Sequence, residues 1–416
     1  MKRRPWLRTA AWLSFLGPFF FLTYKFANAA AARRAHVPAL RFSWEQYVPF
    51  WAWTVLPYWS LDLLYGVSLP VCRTRKELDL HAKRLVAMQL FAVACFIAFP
   101  LRLILVRPPV KGLAGALFRA LSFDRPFNQA PSLHVGLAVI LWARYRAHTA
   151  GWLRASLAVW LAAAALSTLT TYQHHFIDLP TGLWAGLLVI AALPERRSAP
   201  PRTGLALAYL AGAVIATAAA FALRGFAWLL LWPGFALSMV SAAYWTRDPD
   251  WIGSNGPPFA WLLLPYSAGA WVNSRLWTRG EPAMHHVADG VWVGRAPWLQ
   301  NRGAMNSVVN LAAELPVCAD TSVPVLDLTP PGPAQLDAAV TAIGKLAGRR
   351  PTLVCCALGY SRSAAAVAAW LIASGQATNA AEAIEIVRRA RPRIVAGPEL
   401  IGCLEHWAEC RHGNKD

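Results

Sequence analysis

A cysteine and an arginine near the carboxyl end of the chain could form a phosphate-transfer site, in the segment Cys356-Ala-Leu-Gly-Tyr-Ser-Arg362-Ser363. The segment follows an apolar run typical of a buried strand and precedes a helical stretch. Backbone N–H groups in such a turn, with Gly359 among them and a helix amino terminus behind, form a cradle for a phosphate dianion. The same field favours the thiolate form of Cys356, which attacks phosphorus. Arg362 would bind two phosphoryl oxygens, and Ser363 would stabilise the thiolate when it leaves.

Two histidines and an aspartate could form a second phosphate-transfer site, between long apolar segments. His174-His175-Phe-Ile-Asp178 and Pro131-Ser-Leu-His134 each lie at the end of such a segment. Ionisable residues at membrane depth are costly and are usually functional. A carboxylate near an imidazole fixes its tautomer and stabilises the charge that grows on it, so His174 with Asp178 could attack phosphorus directly. His134 could then protonate the leaving oxygen.

Three motifs in this half of the chain resemble those of the type 2 phosphatidic acid phosphatase superfamily, in the same order. They are Arg102-Leu-Ile-Leu-Val-Arg107-Pro, Pro131-Ser132-Leu-His134 and Ser167-Thr168-x5-His174-x3-Asp178. Pro100 and Thr168 stand where the family has lysine and arginine, and the chain is more similar to the branch that contains inositolphosphotransferase-like enzymes. The resemblance covers residues 45–195. It implies a six-helix membrane core and phosphate contacts from Arg102, Arg107 and Ser132.

Residues 281–416 resemble the dual-specificity branch of the protein tyrosine phosphatase superfamily. The Cys-x5-Arg-Ser core begins at Cys356, and the family's Asp-Gly-x-x-x-Gly opening is found as Asp289-Gly-Val-Trp-Val-Gly294. The resemblance implies that Asp327, in Leu-Asp-Leu-Thr-Pro-Pro, is the general acid. It also implies that no cofactor is needed, since the arginine and the backbone amides carry the charge. Cys355 stands where the family usually has histidine, and this places two thiols side by side.

The composition is that of an integral membrane protein. Of the 416 residues, 56% are hydrophobic and the formal net charge is +19, which together exclude a soluble globular chain and a disordered one. A nucleic-acid-binding protein would collect its lysines and arginines on one soluble face, whereas many of these lie at the ends of apolar segments, so no nucleic-acid partner is expected. Segments long enough to span a bilayer lie at 9–29, 47–70, 86–105, 132–150, 152–172, 178–195, 204–222 and 225–246.

These features predict a multi-span α-helical membrane domain, with a six-helix phosphatidic acid phosphatase type core and extra spans, followed by a soluble α/β Cys-based phosphatase domain. The short apolar stretch at 259–277 predicts an interfacial helix, although a further span stays open. The leader also allows a cleaved signal peptide. The expected divisions are an N-terminal span and outer loop (1–45), the membrane phosphatase-like domain (46–195), two further spans (196–250), a linker (251–280) and the dual-specificity phosphatase-like domain (281–416).

The basic residues between the apolar segments predict the orientation in the inner (plasma) membrane. Clusters at 73–84, 144–154 and 196–202 mark cytoplasmic loops, so the amino terminus lies inside. By alternate counting, the loop at 106–131 and the turn at 174–178 both lie outside, and the soluble domain lies in the cytoplasm. Seven cysteines without paired spacing, one of which must stay reduced, fit that compartment.

Within the soluble domain, apolar patterns predict buried strands that alternate with helices. Cys318, Cys403 and Cys410 are expected to be core thiols, because cysteine is among the most buried residue types. His285-His286 has no partner cluster and is expected to be a surface pair near the linker; no metal site is predicted. The expected strands are 291–295, 307–311, 323–328 and 353–356, and the expected helices are 334–347, 362–374, 379–389 and 398–410.

Together the two sites favour a membrane phosphatase. The outer site would hydrolyse a lipid or isoprenoid phosphate through a phosphohistidine, and the cytoplasmic site would hydrolyse a phosphomonoester through a phosphocysteine. A phosphoalcohol transferase would use the same histidines and would differ in its acceptor, an alcohol in place of water. In a third alternative the cytoplasmic domain only binds phosphate as a sensor. The joint presence of Cys356, Arg362 and Asp327 argues against a sensor, and Cys355 is the feature in its favour.

Overall fold

The computed structural model describes residues 4–121, 126–195, 200–223, 225–253, 257–297, 305 and 307–412. The chain forms two compact units, Met1–Arg196 and Arg197–Asp416. The second unit therefore contains the last two expected spans as well as the α/β part, and the boundary between the units does not lie at the start of the soluble domain.

The first unit is helical, and its helices match the apolar segments in position more closely than in length. By length and composition, α3 and α6 are able to cross a membrane. Helices α2, α5 and α7 have 17, 14 and 15 residues, fewer than the roughly 20 that a bilayer requires. The bounds are α1 (Trp6–Ala32), α2 (Val55–Val71), α3 (Arg75–Ala98), α4 (Gly112–Leu121), α5 (Leu133–Arg146), α6 (Gly151–Thr170) and α7 (Asp178–Ala192).

Helix α3 shows where the prediction of a span at 86–105 is wrong. It begins after Thr74, whose hydroxyl accepts a hydrogen bond from the Glu77 N–H at 3.2 Å and so caps the helix. It ends at Ala98, two residues before Pro100, because the ring of a proline disfavours the helical conformation in the residue that precedes it. The segment from Phe99 to Lys111 is not helical, and it carries the two arginines of the first motif.

Helices α5 and α7 lie against each other because glycines face the partner backbone. A Cβ atom at Gly182 would lie 2.4 Å from the Ser132 carbonyl oxygen, and one at Gly186 would lie 2.7 Å from the Gly136 carbonyl oxygen. Small residues of this kind let two helices approach closely. The first turns of α5 and α7 are thereby brought together, and the Ser132 N–H donates to the Asp178 carbonyl at 2.9 Å.

The second unit begins with a helical hairpin of α8 (Thr203–Leu223) and α9 (Leu231–Thr246), joined through a 3₁₀ turn. By length and composition, α8 and the segment Gly225–Thr246, which is α9 together with the 3₁₀ turn before it, are able to cross a membrane. Trp232, in the first turn of α9, donates to the Trp261 and Leu262 carbonyls at 3.1 Å, within the segment expected to be interfacial. Whether that segment spans stays a prediction. The helices that follow are α10 (Asp250–Gly253), α11 (Pro257–Leu262) and α12 (Leu264–Trp277).

The rest of the second unit is an α/β fold around a mixed sheet. The strands are β1 (Met284–Ala288), β2 (Val291–Arg295), β3 (Ser307–Ala312), β4 (Thr321–Val325) and β5 (Thr352–Cys356), and the helices are α13 (Pro333–Ala347), α14 (Arg362–Ala373), α15 (Ala380–Ala390) and α16 (Pro398–His412). Among the described residues the strand order is β1-β2-β5-β3-β4, with β1 antiparallel to β2 and the other neighbours parallel. The predicted bounds lie within three residues of these, and β1 is a strand that the sequence pattern did not predict.

The core of the α/β fold lies between the sheet and the helices α13, α14 and α15. Strand β5 is buried along its whole length, and helix α14 is buried over nearly all of its length. The loop that joins these two elements is therefore fixed at both ends by packed structure. Away from this core, Cys318 and Cys410 are exposed and Cys403 is half-buried. The expectation of core thiols is wrong for Cys318 and Cys410.

Candidate active sites

The cysteine loop places the predicted phosphate-binding residues around one sulfur atom. Cys356 is the last residue of β5 and is buried. The Gly359 N–H donates to the Cys356 Sγ at 3.3 Å, and the Ser363 hydroxyl lies 3.3 Å from the same sulfur. Hydrogen bonds from these groups stabilise negative charge on sulfur. The turn at Gly359 and the start of α14 therefore place two hydrogen-bonding groups at the sulfur.

A close contact between two glycines holds the cysteine loop against the sheet. Gly359 has φ +77°, and a Cβ atom there would lie 2.3 Å from the Gly294 carbonyl carbon. Gly294 ends the Asp-Gly-x-x-x-Gly motif, and a Cβ atom at that position would lie 2.4 Å from the Ala283 carbonyl oxygen. Only glycine satisfies the backbone angle at Gly359 and the available space at both positions.

Arg362 is held by Glu314, a buried carboxylate that the sequence analysis did not identify. Its Nη1 and Nη2 atoms donate to the two Glu314 oxygens at 2.7 and 2.6 Å, and Nη1 also donates to the Val325 carbonyl at 2.9 Å. Burial opposes the charge on this guanidinium, yet the Glu314 and Asp327 carboxylates outweigh burial and raise the pKa of Arg362 well above its usual value. Arg362 is therefore permanently charged and its plane is fixed.

Asp327 lies on the loop after β4 and contacts the same arginine. The Arg362 Nη2 donates to the Asp327 Oδ1 at 2.8 Å, and the Asp327 side chain is 39% exposed. With the bonds to Glu314 and Val325, this contact occupies the Nη1 and Nη2 protons. Asp327 is the more exposed of the two carboxylates that Arg362 contacts, so a phosphate that approaches Arg362 from solvent would displace Asp327 before the buried Glu314.

Cys355 faces away from the phosphate cradle. Successive side chains of a strand point to opposite faces, so Cys355 lies on the other side of β5 from Cys356. It is buried in an apolar cluster with Met305, Val308 and Leu353. Burial, and then the neighbouring Cys356 sulfur, raise the pKa of the Cys355 thiol. Cys355 is therefore a neutral core thiol, and it does not occupy the position of a second nucleophile.

A buried arginine, Arg391, supports the outer side of the cysteine loop. Its Nη2 donates to the Leu358 carbonyl at 3.2 Å, and its guanidinium lies 5.1 Å from the centroid of the Tyr360 ring. Its Nη1 donates to His285 Nδ1 at 2.9 Å, and the Tyr360 hydroxyl donates to Glu281 at 2.7 Å. Burial, and then the Arg391 charge, lower the pKa of His285 and favour its neutral form. His285 is half-buried and supports the loop, whereas His286 is exposed, so the expectation of a surface pair holds for His286 and is wrong for His285.

His174 and Asp178 form a buried pair at the junction of α6 and α7. The His174 Nδ1 donates to the Asp178 Oδ2 at 3.1 Å, and the same oxygen accepts the His175 N–H at 3.0 Å. With Nδ1 engaged, Nε2 is the nitrogen that a substrate would meet. His174 lines a cavity of about 170 Å³, and Arg107 lines the same cavity. His174, bonded to Asp178, and Arg107 thus line one cavity, and their roles in catalysis stay a prediction.

The other residues predicted for this site have different positions. Arg102 is exposed and lies outside the lining of the cavity. The Ser132 hydroxyl caps α5 by accepting the Val135 N–H at 3.4 Å. The His134 ring stacks on Tyr58 with centroids 4.0 Å apart, and its Nε2 donates to the Tyr58 carbonyl at 3.2 Å. Tyr58 lines the cavity, so His134 is one side chain removed from it.

His175 belongs to a second histidine–carboxylate pair, which the sequence analysis did not identify. Its Nδ1 donates to the Glu45 Oε2 at 2.7 Å, and both side chains are buried. Its Nε2 accepts the Ile104 N–H at 3.3 Å, in the segment that leads to Arg107. His175 therefore positions that segment and presents no free nitrogen to a substrate. In the part of the chain that the structure describes, no group of three or more His, Cys, Asp or Glu residues could hold a metal ion.

Comparison with known proteins assigns the α/β part to a class. Residues 304–410 match the family model "Dual specificity phosphatase, catalytic domain". The chain therefore carries a Cys-based dual-specificity phosphatase domain, and it is a phosphatase. The match leaves out residues 45–195, so the resemblance of that segment to lipid phosphatases stays a prediction. A comparison with curated proteins finds no match.

Several solved structures are similar to about a third of this chain. Tk-PTP in the active form is 24% identical, with 31% of this chain and 97% of that chain covered and a TM-score of 0.27. PTPMT1 in complex with PI(5)P is 20% identical, with 32% and 100% covered and a TM-score of 0.28. Human DUSP28 is 25% identical, with 32% and 96% covered and a TM-score of 0.28.

Proposed function

We propose that Cys356 is the nucleophile of a phosphomonoester phosphatase, with Arg362 as the phosphate-binding residue and Asp327 as the general acid. The observation that carries this proposal is the arrangement of these three side chains. Cys356 and Arg362 lie at the two ends of the cysteine loop, and Arg362 donates to Asp327 at 2.8 Å, with its charge fixed by Glu314 at 2.6 Å. The sulfur attacks phosphorus and the bond between phosphorus and the ester oxygen breaks. Asp327 gives that oxygen its proton, and the alcohol leaves.

Hydrolysis of the phosphocysteine completes the cycle. A water molecule attacks phosphorus and gives its proton to the Asp327 carboxylate, while the bond between sulfur and phosphorus breaks. The Ser363 hydroxyl, 3.3 Å from the sulfur, stabilises the thiolate that leaves. In both steps the Arg362 guanidinium and the N–H groups of the loop stabilise the phosphoryl oxygens, so this mechanism requires no cofactor.

The helical unit carries a second proposed activity, the hydrolysis of a lipid or isoprenoid phosphate. It rests on the buried His174–Asp178 pair and on the cavity that His174 and Arg107 line together. The His174 Nε2 attacks phosphorus, Asp178 stabilises the imidazolium, and Arg107 binds the phosphoryl oxygens. His134 protonates the leaving oxygen after moving from Tyr58. Water then hydrolyses the phosphohistidine.

A phosphoalcohol transferase is the alternative for the helical unit, because Pro100 and Thr168 depart from the phosphatase pattern toward the transferase-containing branch. The full chain in vesicles would be assayed with a lipid phosphate, an isoprenoid phosphate, a phosphotyrosine peptide and p-nitrophenyl phosphate, with and without inositol. In the Cys356→Ser variant, which silences the cysteine site, release of inorganic phosphate from the lipid or isoprenoid phosphate without inositol supports hydrolysis by the helical unit. Transfer to inositol without release supports the transferase, and no reaction with any substrate contradicts the proposed function.

Replacing Asp327 by asparagine is expected to lower kcat for p-nitrophenyl phosphate by roughly 10²–10⁴-fold, the usual size of a general-acid effect. Asparagine has no carboxyl proton to give to the leaving oxygen, so the loss should appear in kcat, which the steady-state rate at saturating substrate measures. Because asparagine still accepts a bond from Arg362, an unchanged kcat would show that another group supplies the proton.

The proposed orientation predicts the labelling of cysteines by an impermeant maleimide. Cys318 and Cys410 are exposed in the phosphatase domain, so they report its side of the membrane without substitution. Intact cells should leave both unlabelled until the membrane is permeabilised. A cysteine introduced at Leu113, which is exposed in the expected outer loop, should react in intact cells. Labelling of Cys410 in intact cells would contradict the cytoplasmic placement of the domain.

A further inference from the structure

The end of the α8–α9 hairpin contacts the loop that carries the proposed general acid. The hydroxyl of Tyr244, a buried residue of α9, donates to the Asp327 carbonyl oxygen at 3.1 Å. The Tyr244 ring stacks on Tyr209 of α8 with centroids 5.4 Å apart, and the Tyr209 ring meets Tyr266 of α12 edge to face at 5.9 Å. Tyrosines from helices outside the α/β fold thus lie beside the acid loop.

Further contacts join the same end of the hairpin to the α/β fold. Arg202, immediately before α8, forms an ion pair with Glu399 of α16. Gly253, at the end of α10, packs against the loop after β3, where a Cβ atom would lie 3.3 Å from the Ala313 carbonyl oxygen. The next residue of that loop is Glu314, which holds Arg362. The cysteine site is therefore fixed to this end of the hairpin from two sides.

A bilayer surface would lie at this end of the hairpin. Tyr244 is two residues from the end of the candidate span Gly225–Thr246, so it lies about 3 Å along the helix from that end. Arg202 precedes the first arm and Arg247 follows the second. Basic residues at the ends of spans lie in the headgroup region and attract anionic lipids. The acid loop, which bonds to Tyr244, would therefore lie at the headgroup layer.

The loops around the cysteine site expose apolar side chains. Leu328, directly after Asp327, is 71% exposed and has φ +53°. Val395 is 62% exposed, and its N–H donates to the carbonyl of Tyr360, in the cysteine loop, at 2.8 Å. Each of these side chains is unfavourable in water and favourable against an acyl chain. Leu328 and Val395 are called the apolar rim below, and beside a bilayer they would face acyl chains in place of water.

From these contacts we infer that the cysteine site takes its phosphomonoester from a lipid in the adjoining leaflet. The phosphate enters the cradle, and the alcohol part with its first acyl carbons contacts Leu328 and Val395. The bond that breaks joins phosphorus to the oxygen of the lipid alcohol, and Asp327 protonates that oxygen. The inference rests on the proposed function of Cys356 and on insertion of the hairpin, and it names the substrate class of that site.

The test uses the full chain in phosphatidylcholine vesicles, with the substitution His174→Ala to silence the helical site. The substrates are phosphatidic acid with long chains in the same vesicles, its short-chain soluble analogue, a phosphotyrosine peptide and p-nitrophenyl phosphate. We expect kcat/KM to be highest for the long-chain lipid. It should be about 100-fold higher than kcat/KM for the peptide and about 10-fold higher than kcat/KM for the short-chain analogue. A peptide preference would overturn the inference and indicate a phosphoprotein substrate.

Substitutions at the rim give a second measurement. Leu328→Asn is suited to this, because asparagine adopts a positive φ readily, and Val395→Thr keeps the shape of the side chain. In each variant the ratio of kcat/KM for the long-chain lipid to that for p-nitrophenyl phosphate should fall by about 10-fold. An unchanged ratio in both would overturn the lipid inference alone. If Cys356→Ser in the same background left every activity intact, the proposed function itself would fail, so the two failures are distinguishable.

Discussion

Replacing Cys356 by serine is expected to abolish turnover at the cysteine site, with kcat for p-nitrophenyl phosphate lower by roughly 10⁴-fold or more. A serine hydroxyl is a far weaker nucleophile than a thiolate. The phosphate cradle should stay in place, since a serine Oγ can accept the Gly359 N–H in place of the sulfur, and the Arg362–Glu314 pair has its own hydrogen bonds. The variant should therefore still bind vanadate, which calorimetry measures on the same preparation.

Cys355→Ala is the matched control for this substitution. It removes the same chemical group one residue away, but from the opposite face of β5, among the apolar side chains of the core. Its turnover should stay close to that of the wild-type chain. If Cys355→Ala abolished turnover and Cys356→Ser retained it, the nucleophile would be the other thiol and the proposed cradle would be wrong.

The cysteine loop could be predicted from the sequence because its determinants are contiguous. An apolar run forms β5, a glycine allows the turn, and a helix starts at Arg362, so the residues that meet at the sulfur lie within eight positions. The same locality explains why the strands and helices of this domain were found close to their expected bounds. Strand β1 was missed, because the pair His285-His286 interrupts its apolar pattern.

The groups that hold these residues could not be predicted in the same way. Glu314 lies 48 positions before Arg362, and Tyr244 lies 83 positions before Asp327. Each contact is created by tertiary packing, and no local spacing encodes it. The one sequence signal for Glu314 is a carboxylate two residues after a buried strand, since an unpaired charge there would be costly.

In the helical unit, the apolar composition predicted the positions of the helices more accurately than it predicted their ends. The span expected at 86–105 stops at Ala98, because a proline outweighs the apolar residues that follow. The neighbouring residues His174 and His175 were predicted within one cluster, but they have different partners. His174 bonds to Asp178 at the cavity, whereas His175 bonds to Glu45, 130 positions away. Adjacency in the chain therefore identified the region, and only the fold distinguishes the two roles.

Replacing His174 by alanine is expected to lower the rate of lipid-phosphate hydrolysis at the helical site by roughly 10⁴-fold or more. The nucleophilic nitrogen is removed, while the Glu45–His175 pair that positions the segment before Arg107 remains. Hydrolysis of p-nitrophenyl phosphate at the cysteine site should be unchanged in the same protein, since the two sites share no residue. Equal loss of both activities would contradict the model of two independent sites.

A phosphoenzyme trap separates the nucleophile from a residue that only positions others. In a Cys356→Ser background the phosphocysteine cannot form, so protein-bound phosphate from a labelled lipid phosphate reports on the helical site alone. The label should be labile in acid and stable in base, as expected for a phosphorylated imidazole, and it should be absent after His174→Ala. Asp178→Asn should slow the appearance of the label without removing it, because the aspartate stabilises the imidazolium and does not bond to phosphorus. Label that persists in His174→Ala would assign the nucleophile to another residue of this unit, with His134 as the next to test.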